Sequence, residues 1–205
     1  EPTVQQAVKA GMDVVTFSGD KMLGGPQAGI IAGKREYIDK MKKNPLTRAI
    51  RIDKLTLAAL EGTLRLYTDK ELALKEIPVL RMLTYDSEEL NKRARRLGVR
   101  LKKSIGDMAA IGVEDEFSEV GGGSMPLHKM PTKVVAVKPK TISLTQLEEK
   151  LRAYKAPVVA RIGRDRLMLD IRTIMDDEYR TVEGAMLWAF TELSKSTVGK
   201  GGGQT

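Results

Sequence analysis

The residues with the most chemistry to offer lie in one run, Ser18-Gly19-Asp20-Lys21-Met22-Leu23-Gly24-Gly25-Pro26-Gln27-Ala28-Gly29. Lys21 follows an apolar stretch, Met12 to Phe17, whose composition predicts a buried strand. A lysine at the end of such a strand is partly desolvated. Desolvation lowers its pKa from about 10.4 and favours the neutral amine that can form a Schiff base. Ser18 offers a hydroxyl to a phosphate, and Gly19, Gly24 and Gly25 let the backbone approach a ligand and present N–H groups to an anion. The run is not a P-loop, because the lysine precedes the glycine pair. An ordinary turn carrying a surface lysine is the competing reading of the same residues.

The rest of the chain narrows the chemistry. Its 205 residues include no cysteine and one histidine, His128. Disulfides, thiolate metal sites, iron–sulfur clusters and a cysteine nucleophile or persulfide carrier are therefore excluded. Few routes to a Ser-His triad remain, no metal is expected, and His128 reads as a loop residue. No apolar run reaches the roughly 18–20 residues of a membrane span and no signal peptide is evident, so a cytoplasmic protein with no membrane contact is expected. The net charge of +8 is unevenly placed: Lys34 to Lys103 holds 19 Lys and Arg against 10 Asp and Glu. Such concentration suits a phosphate-rich partner, with a solvated helical face as the alternative.

Punctuation and periodicity predict the elements that position these residues. Thr3 to Ala10 is helical and stops at Gly11; the first strand follows, and Gly29 to Ala32 returns as a second. Lys34 to Lys43 is a polar helix ended by Asn44-Pro45. Leu46 to Tyr67 has helical period throughout, and Glu71 to Leu83 is a helix that Pro78 kinks or breaks. Asp86-Ser87-Glu88-Glu89 opens a basic helix to Ile105, weakened at Gly98. Strands over Ala109 to Val120 and Lys133 to Val137, a helix from Ser143 to Tyr154, and a hairpin about Gly163 to Arg166 lead to a last helix, Thr181 to Leu193. The opening lacks Met and runs from the end of a helix into a core strand, which suggests the C-terminal part of a longer protein. The tail from residue 196, rich in glycine, is expected to be disordered.

The lysine run resembles the cofactor-lysine motif of the bacterial L-seryl-tRNA(Sec) selenium transferases, within the fold-type I (aspartate aminotransferase-like) pyridoxal phosphate enzymes. The resemblance continues through Asn44-Pro45-Leu46-Thr47-Arg48-Ala49-Ile50-Arg51-Ile52-Asp53-Lys54. It reappears at Gly121-Gly122-Gly123-Ser124-Met125-Pro126, Val159-Ala160-Arg161-Ile162 and Leu169-Asp170-Ile171-Arg172-Thr173. The lysine motif alone indicates the wider family; the Pro-Leu-Thr-Arg-Ala-Ile-Arg run after it is more specific.

The resemblance implies an α/β and α+β fold: residues 1–70 end a pyridoxal-phosphate-binding large domain, and residues 71–195 form a small α+β domain. It implies that Lys21 holds pyridoxal 5'-phosphate and acts as the base at Cα, with Asp20 as proton donor or relay. Ser18, Gly24 and Gly25 would contact the cofactor. Arg48 and Arg51 would bind the phosphate of selenophosphate; three apart on a helix, they share one face, and a guanidinium fork matches phosphate. A surface pair is the alternative. The reaction implied converts seryl-tRNA(Sec) to selenocysteyl-tRNA(Sec) by loss of water and addition of selenium, in a homodimer or ring of dimers. An upstream Asp for the pyridine nitrogen and a tRNA-binding domain would precede residue 1, so this chain alone would be inactive. For Arg161 and Arg172 the alternatives are a hold on a carboxylate and structural pairs with Asp165 and Asp170, and Gly121 to Gly123 is an active-site loop or a turn. A related lyase or aldolase on a small amino acid or sugar acid, and a non-enzymatic RNA-binding protein, are the competing functions. The basic run Lys92, Arg93, Arg95, Arg96, Arg100, Lys102 and Lys103 is the part of the charge left for tRNA or a subunit contact.

Overall fold

The computed structural model describes residues 2–121, 125 and 128–198. The expectations for Gly122, Gly123 and the tail from residue 199 fall outside the described residues, while residues 196–198, expected to be disordered, are the last of a helix. The chain divides into two compact units, one running to Thr84 and taking in Val120 and Gly121, the other holding Tyr85–Glu119 and the chain from His128.

The first unit opens with helix α1 (Val4–Lys9), capped reciprocally by Thr3 and Gln6, and an antiparallel ribbon of β1 (Val14–Ser18) and β2 (Gly29–Gly33). The register pairs Ser18 with Gly29, so residues 19–28 form one connection at the ribbon's end. Among the described residues β1 pairs only with β2, and it is half-buried rather than the buried strand its composition suggests.

Helices α2 (Arg35–Lys43) and α3 (Pro45–Ile50) follow, joined at Asn44, whose side chain accepts from the Leu46 N–H at 2.9 Å. The period expected from Leu46 to Tyr67 is broken. Arg51 is extended, and Asp53 starts α4 (Lys54–Leu66) by accepting from the N–H groups of Leu55 and Thr56. An Asp in that position satisfies the orphan donors of a new helix, which competes with continuing the old one. Pro78 breaks the next helix as expected, into α5 (Lys70–Glu76) and α6 (Pro78–Thr84). These two helices fall in the first unit, past the boundary at residue 70 that the resemblance implies, and Ile77 between them is buried against the Gly24 turn.

The second unit is an antiparallel sheet covered on one face by helices. Its strands are β3 (Ala109–Ser118), β4 (Met130–Pro139), β5 (Arg161–Gly163) and β6 (Arg166–Asp170), in the order β3-β4-β6-β5. The helices are α7 (Ser87–Ile105), α8 (Leu144–Arg152) and α9 (Tyr179–Val198), the last entered by a 3-10 turn at Asp176–Glu178. Leu90, Ala94, Leu97, Leu101 and Ile105 repeat at three and four residues along α7 and meet Val135, Val137, Leu167 and Leu169 of the sheet in one core. α7 runs unbroken through Gly98. The β5–β6 turn places Arg164 and Asp165 at positive φ, as a tight hairpin turn requires. On the other sheet face Asp170 accepts from Ser118 and Thr132, each at 2.8 Å, and pairs with Arg161 at 3.1 Å.

Among the described residues no helix is long and apolar enough to cross a membrane, and no cluster of three or more His, Asp or Glu could hold a metal ion. Leu97 is fully buried at the centre of the core of the second unit. Leu97→Ala is expected to destabilise that unit by about 2–5 kcal/mol, checked by chemical denaturation.

Candidate active site

Lys21 stands on the connection that closes the β1–β2 ribbon, and the backbone of that connection folds on itself. Gly19 N–H donates to the Ala28 carbonyl at 2.8 Å, Gly25 N–H to the Gly19 carbonyl at 2.8 Å, and Gly24 N–H to the Lys21 carbonyl at 3.0 Å. Lys21 thus begins a turn that ends at Gly24. That turn needs φ of +73° at Gly24, which favours glycine. It also needs close approach, since a Cβ at Gly24 would sit 2.5 Å from Ile77 Cγ2 and 3.0 Å from Val79 Cγ1.

A second fixing point comes from α4. Tyr67, at its C-terminal cap, donates its hydroxyl to the Leu23 carbonyl at 2.9 Å across 44 residues of sequence. Burial pushes the Tyr67 phenol above its ordinary value, so it stays a protonated donor at neutral pH. Tyr67, Ile77 and Val79 are the positioning residues that sequence reasoning did not single out. The only trace of them was the Ile77-Pro78 step, which reads as a helix stop.

Lys21, Asp20, Gly24 and Gly25 line one cleft of about 490 Å³ with Pro78, Val79, Val120 and Gly121. Lys21 Nζ lies 2.5 Å from Asp20 Oδ2. The Lys21 hydrogen bond holds the Asp20 carboxyl below the ordinary aspartate range. The expected desolvated amine is not what the structure shows: the Lys21 side chain is 42% exposed and its neighbour is a carboxylate. The half-buried ribbon supplies too little apolar cover to strip it of water.

The other expected site residues are placed differently. Ser18 is exposed at the last pair of the ribbon and does not line the cleft. Arg48 lies on α3 but Arg51 is its extended C-terminal cap, so the two do not share a helical face; both are exposed and outside the cleft lining. Arg161 pairs with Asp170, not Asp165, and Arg172 donates to the Pro131 carbonyl at 2.6 Å and to Asp170 Oδ1 through its backbone N–H. Gly121 lines the cleft, and His128 is exposed.

The chain's fold is shared with a solved structure, D-glucosaminate-6-phosphate ammonia-lyase, at a TM-score of 0.53 and 18% identity, covering 91% of this chain and 46% of that one. The fold is mixed helix and sheet, as expected. The family described as SelA, L-seryl-tRNA selenium transferase, matches residues 1–175, and the chain belongs to that family. L-seryl-tRNA(Sec) selenium transferase of Alkaliphilus metalliredigens (strain QYMF) is 55% identical over 179 residues, 87% of this chain and 38% of that protein. The protein of the same name from Geobacter sulfurreducens is 54% identical over 186 residues, 91% of this chain and 40% of that protein. The chain spans about two fifths of the length of these relatives.

Two outcomes follow from the clamp and the ion pair. Tyr67→Phe leaves the Leu23 carbonyl without its donor and is expected to cost about 1 kcal/mol, read as a lowered melting temperature. In Lys21→Ala the Asp20 carboxyl is expected to rise toward its ordinary value of 3.8, followed by NMR titration. The sign is set by the pair: with Lys21 present the carboxylate is favoured and the pair is lost only as pH falls through the lowered pKa.

Proposed function

We propose that this chain carries the cofactor lysine of a pyridoxal-phosphate-dependent selenium transferase. The whole enzyme would convert seryl-tRNA(Sec) to selenocysteyl-tRNA(Sec), with selenophosphate as the selenium donor. The observation that carries the proposal is Lys21 itself, clamped by glycine turns at the wall of a cleft in a chain that belongs to the L-seryl-tRNA selenium transferase family. On this reading the first unit ends the cofactor-binding large domain and the second is the small domain, in a cytoplasmic homodimer or ring of dimers. Ile50 and Leu55, 70% and 84% exposed in the first unit, support burial against further polypeptide.

The donor set fits the cofactor. A primary amine for its aldehyde carbon stands in the cleft, with a carboxylate beside it to hold the amine in place. Lys21, Gly24 and Gly25 would hold the group, while Ser18 lies outside the cleft lining. Once bound, pyridoxal phosphate supplies the electron sink for charge that develops at the seryl Cα. Lys21 Nζ then takes the Cα proton as general base. Asp20, kept ionised by Lys21, orients that amine and steadies its protonated form. Its low pKa suits a relay through Nζ better than direct donation to substrate. Arg48 and Arg51, exposed and without an ion pair to the described residues, supply two guanidinium groups for the phosphate of selenophosphate.

The test is the reaction of the full-length enzyme with serylated tRNA(Sec) and selenophosphate. Product is expected only when both are present, and turnover of free serine or of a sugar acid in their place would refute the substrate assignment. Arg48→Ala or Arg51→Ala is expected to raise KM for selenophosphate about tenfold or more, as loss of a charged hydrogen bond implies.

A further inference from the structure

The positive charge of residues 34–103 separates into cations with acidic partners and cations without. On α7, Lys92 pairs with Glu88 at 2.6 Å, Arg96 with Asp176 at 2.7 Å and Arg100 with Glu183 at 2.7 Å. Arg93 is 4% exposed, pairs with Asp176 at 3.2 Å, donates to the Ile174 carbonyl at 2.6 Å and lies 4.4 Å over the Tyr85 ring. Four of the seven cations that suggested a polyanion surface there are therefore engaged with α9, with the turn before it, or with α7 itself. Arg95, Lys102 and Lys103 remain without an ion pair to the described residues.

In the first unit Lys34, Arg65 and Lys75 pair with Asp13, Glu61 and Glu76, but the stretch from Arg35 to Lys54 shows the opposite pattern. On α2, Arg35, Lys40, Lys42 and Lys43 are all exposed, and none makes an ion pair with the described residues. Arg48 on α3 and Lys54 at the start of α4 extend the same run. Tyr37 and Ile38 are the half-buried residues of α2, which packs on β2, so the cations take its outer side. Thr47 donates its hydroxyl to the Met41 carbonyl at 2.6 Å, which fixes α3 against the end of α2 and holds the lysines and Arg48 about one corner. Two exposed acids of α2, Glu36 and Asp39, offset part of this charge and leave the run net positive. Glu36 and Asp39 make no ion pair with the described residues, and Asp53 is spent capping α4. Lysines are almost never buried without a partner, so this corner is a surface for solvent or for an anion.

We infer that the corner formed by α2, α3 and the first turn of α4 is where the phosphate backbone of the RNA substrate docks, in preference to α7. The inference rests on the proposed tRNA substrate and adds where it is held. A run of exposed cations without ion pairs to the described residues, Lys40 of them 5.9 Å from the Tyr37 ring centroid, matches the spaced charges of a nucleic-acid backbone and gives contacts that position without reading sequence. Lys40, Lys42 and Lys43 also oppose the dipole at the C-terminus of α2, a contribution to stability that must be separated from binding.

The experiment uses the full-length protein and transcribed tRNA(Sec), with affinity measured across a salt series. The triple variant Lys40→Gln, Lys42→Gln, Lys43→Gln is compared with Arg95→Gln, Lys102→Gln, Lys103→Gln. The α2 variant is expected to bind about tenfold or more weakly at low salt, with a salt slope reduced by about two to three, and the α7 variant less than twofold more weakly. Replacing the same three α2 lysines by arginine is expected to restore binding, which a lost helix-end contribution to folding would not explain if melting temperatures match. Weakening by the α7 variant alone, or equal affinity of the α2 variant and wild type, overturns the inference. Wild-type protein that binds pyridoxal phosphate but no tRNA(Sec) overturns the substrate proposal as well, and is recognised by its failure before any variant is made.

Discussion

Everything at the cleft depends on the fit of the Gly24 turn against the Ile77–Val79 elbow. A backbone with positive φ and no Cβ is pressed onto a branched side chain that is itself buried. That contact joins a ribbon near the start of the chain to a break between two short helices some fifty residues later. It also fixes the direction in which the turn leaves Lys21. Tyr67 fastens the same turn from α4 through the Leu23 carbonyl. With two fixing points on four residues, the lysine is set on a rigid base while its Nζ stays open to the cleft and to Asp20. On the proposed reading the amine would have to reach an aldehyde and then a proton at carbon, and this combination would serve it, since misplacement by an ångström costs rate steeply.

Local signals in the chain were legible where one residue type decides the outcome. Pro78 ends a helix because it cannot donate and clashes with the preceding turn, and Asp86 starts one because it caps. The hairpin about Arg164 and Asp165 was readable from its polar turn. The glycines of the lysine run were readable as points of close approach, although Gly24 meets Ile77 and Val79 and not a ligand. The family resemblance carried by that run and by the Asn44 to Lys54 run agrees with the family match.

What was not legible is set by distant partners. Period alone continued the Leu46 helix through Arg51, because nothing in an apolar repeat announces that Asp53 will capture two N–H groups. The desolvated lysine was an inference from apolar neighbours in sequence, whereas its exposure depends on what packs over β1. Tyr67 could not be found, since its hydrogen bond spans 44 residues. The ion pairs of the basic run on α7 were not legible for the same reason. Its acids, Asp176 and Glu183, lie about eighty residues away and meet it only when α7 and α9 pack.

The central claim is that this turn presents Lys21, and no other lysine, to pyridoxal phosphate. Sodium borohydride reduction of the full-length protein loaded with the cofactor, followed by peptide mass mapping, tests it directly. One pyridoxyl group on the peptide containing Lys21, absent from Lys21→Ala, is the predicted result. Reduction that labels a different lysine, or labelling that survives Lys21→Ala unchanged, would contradict it.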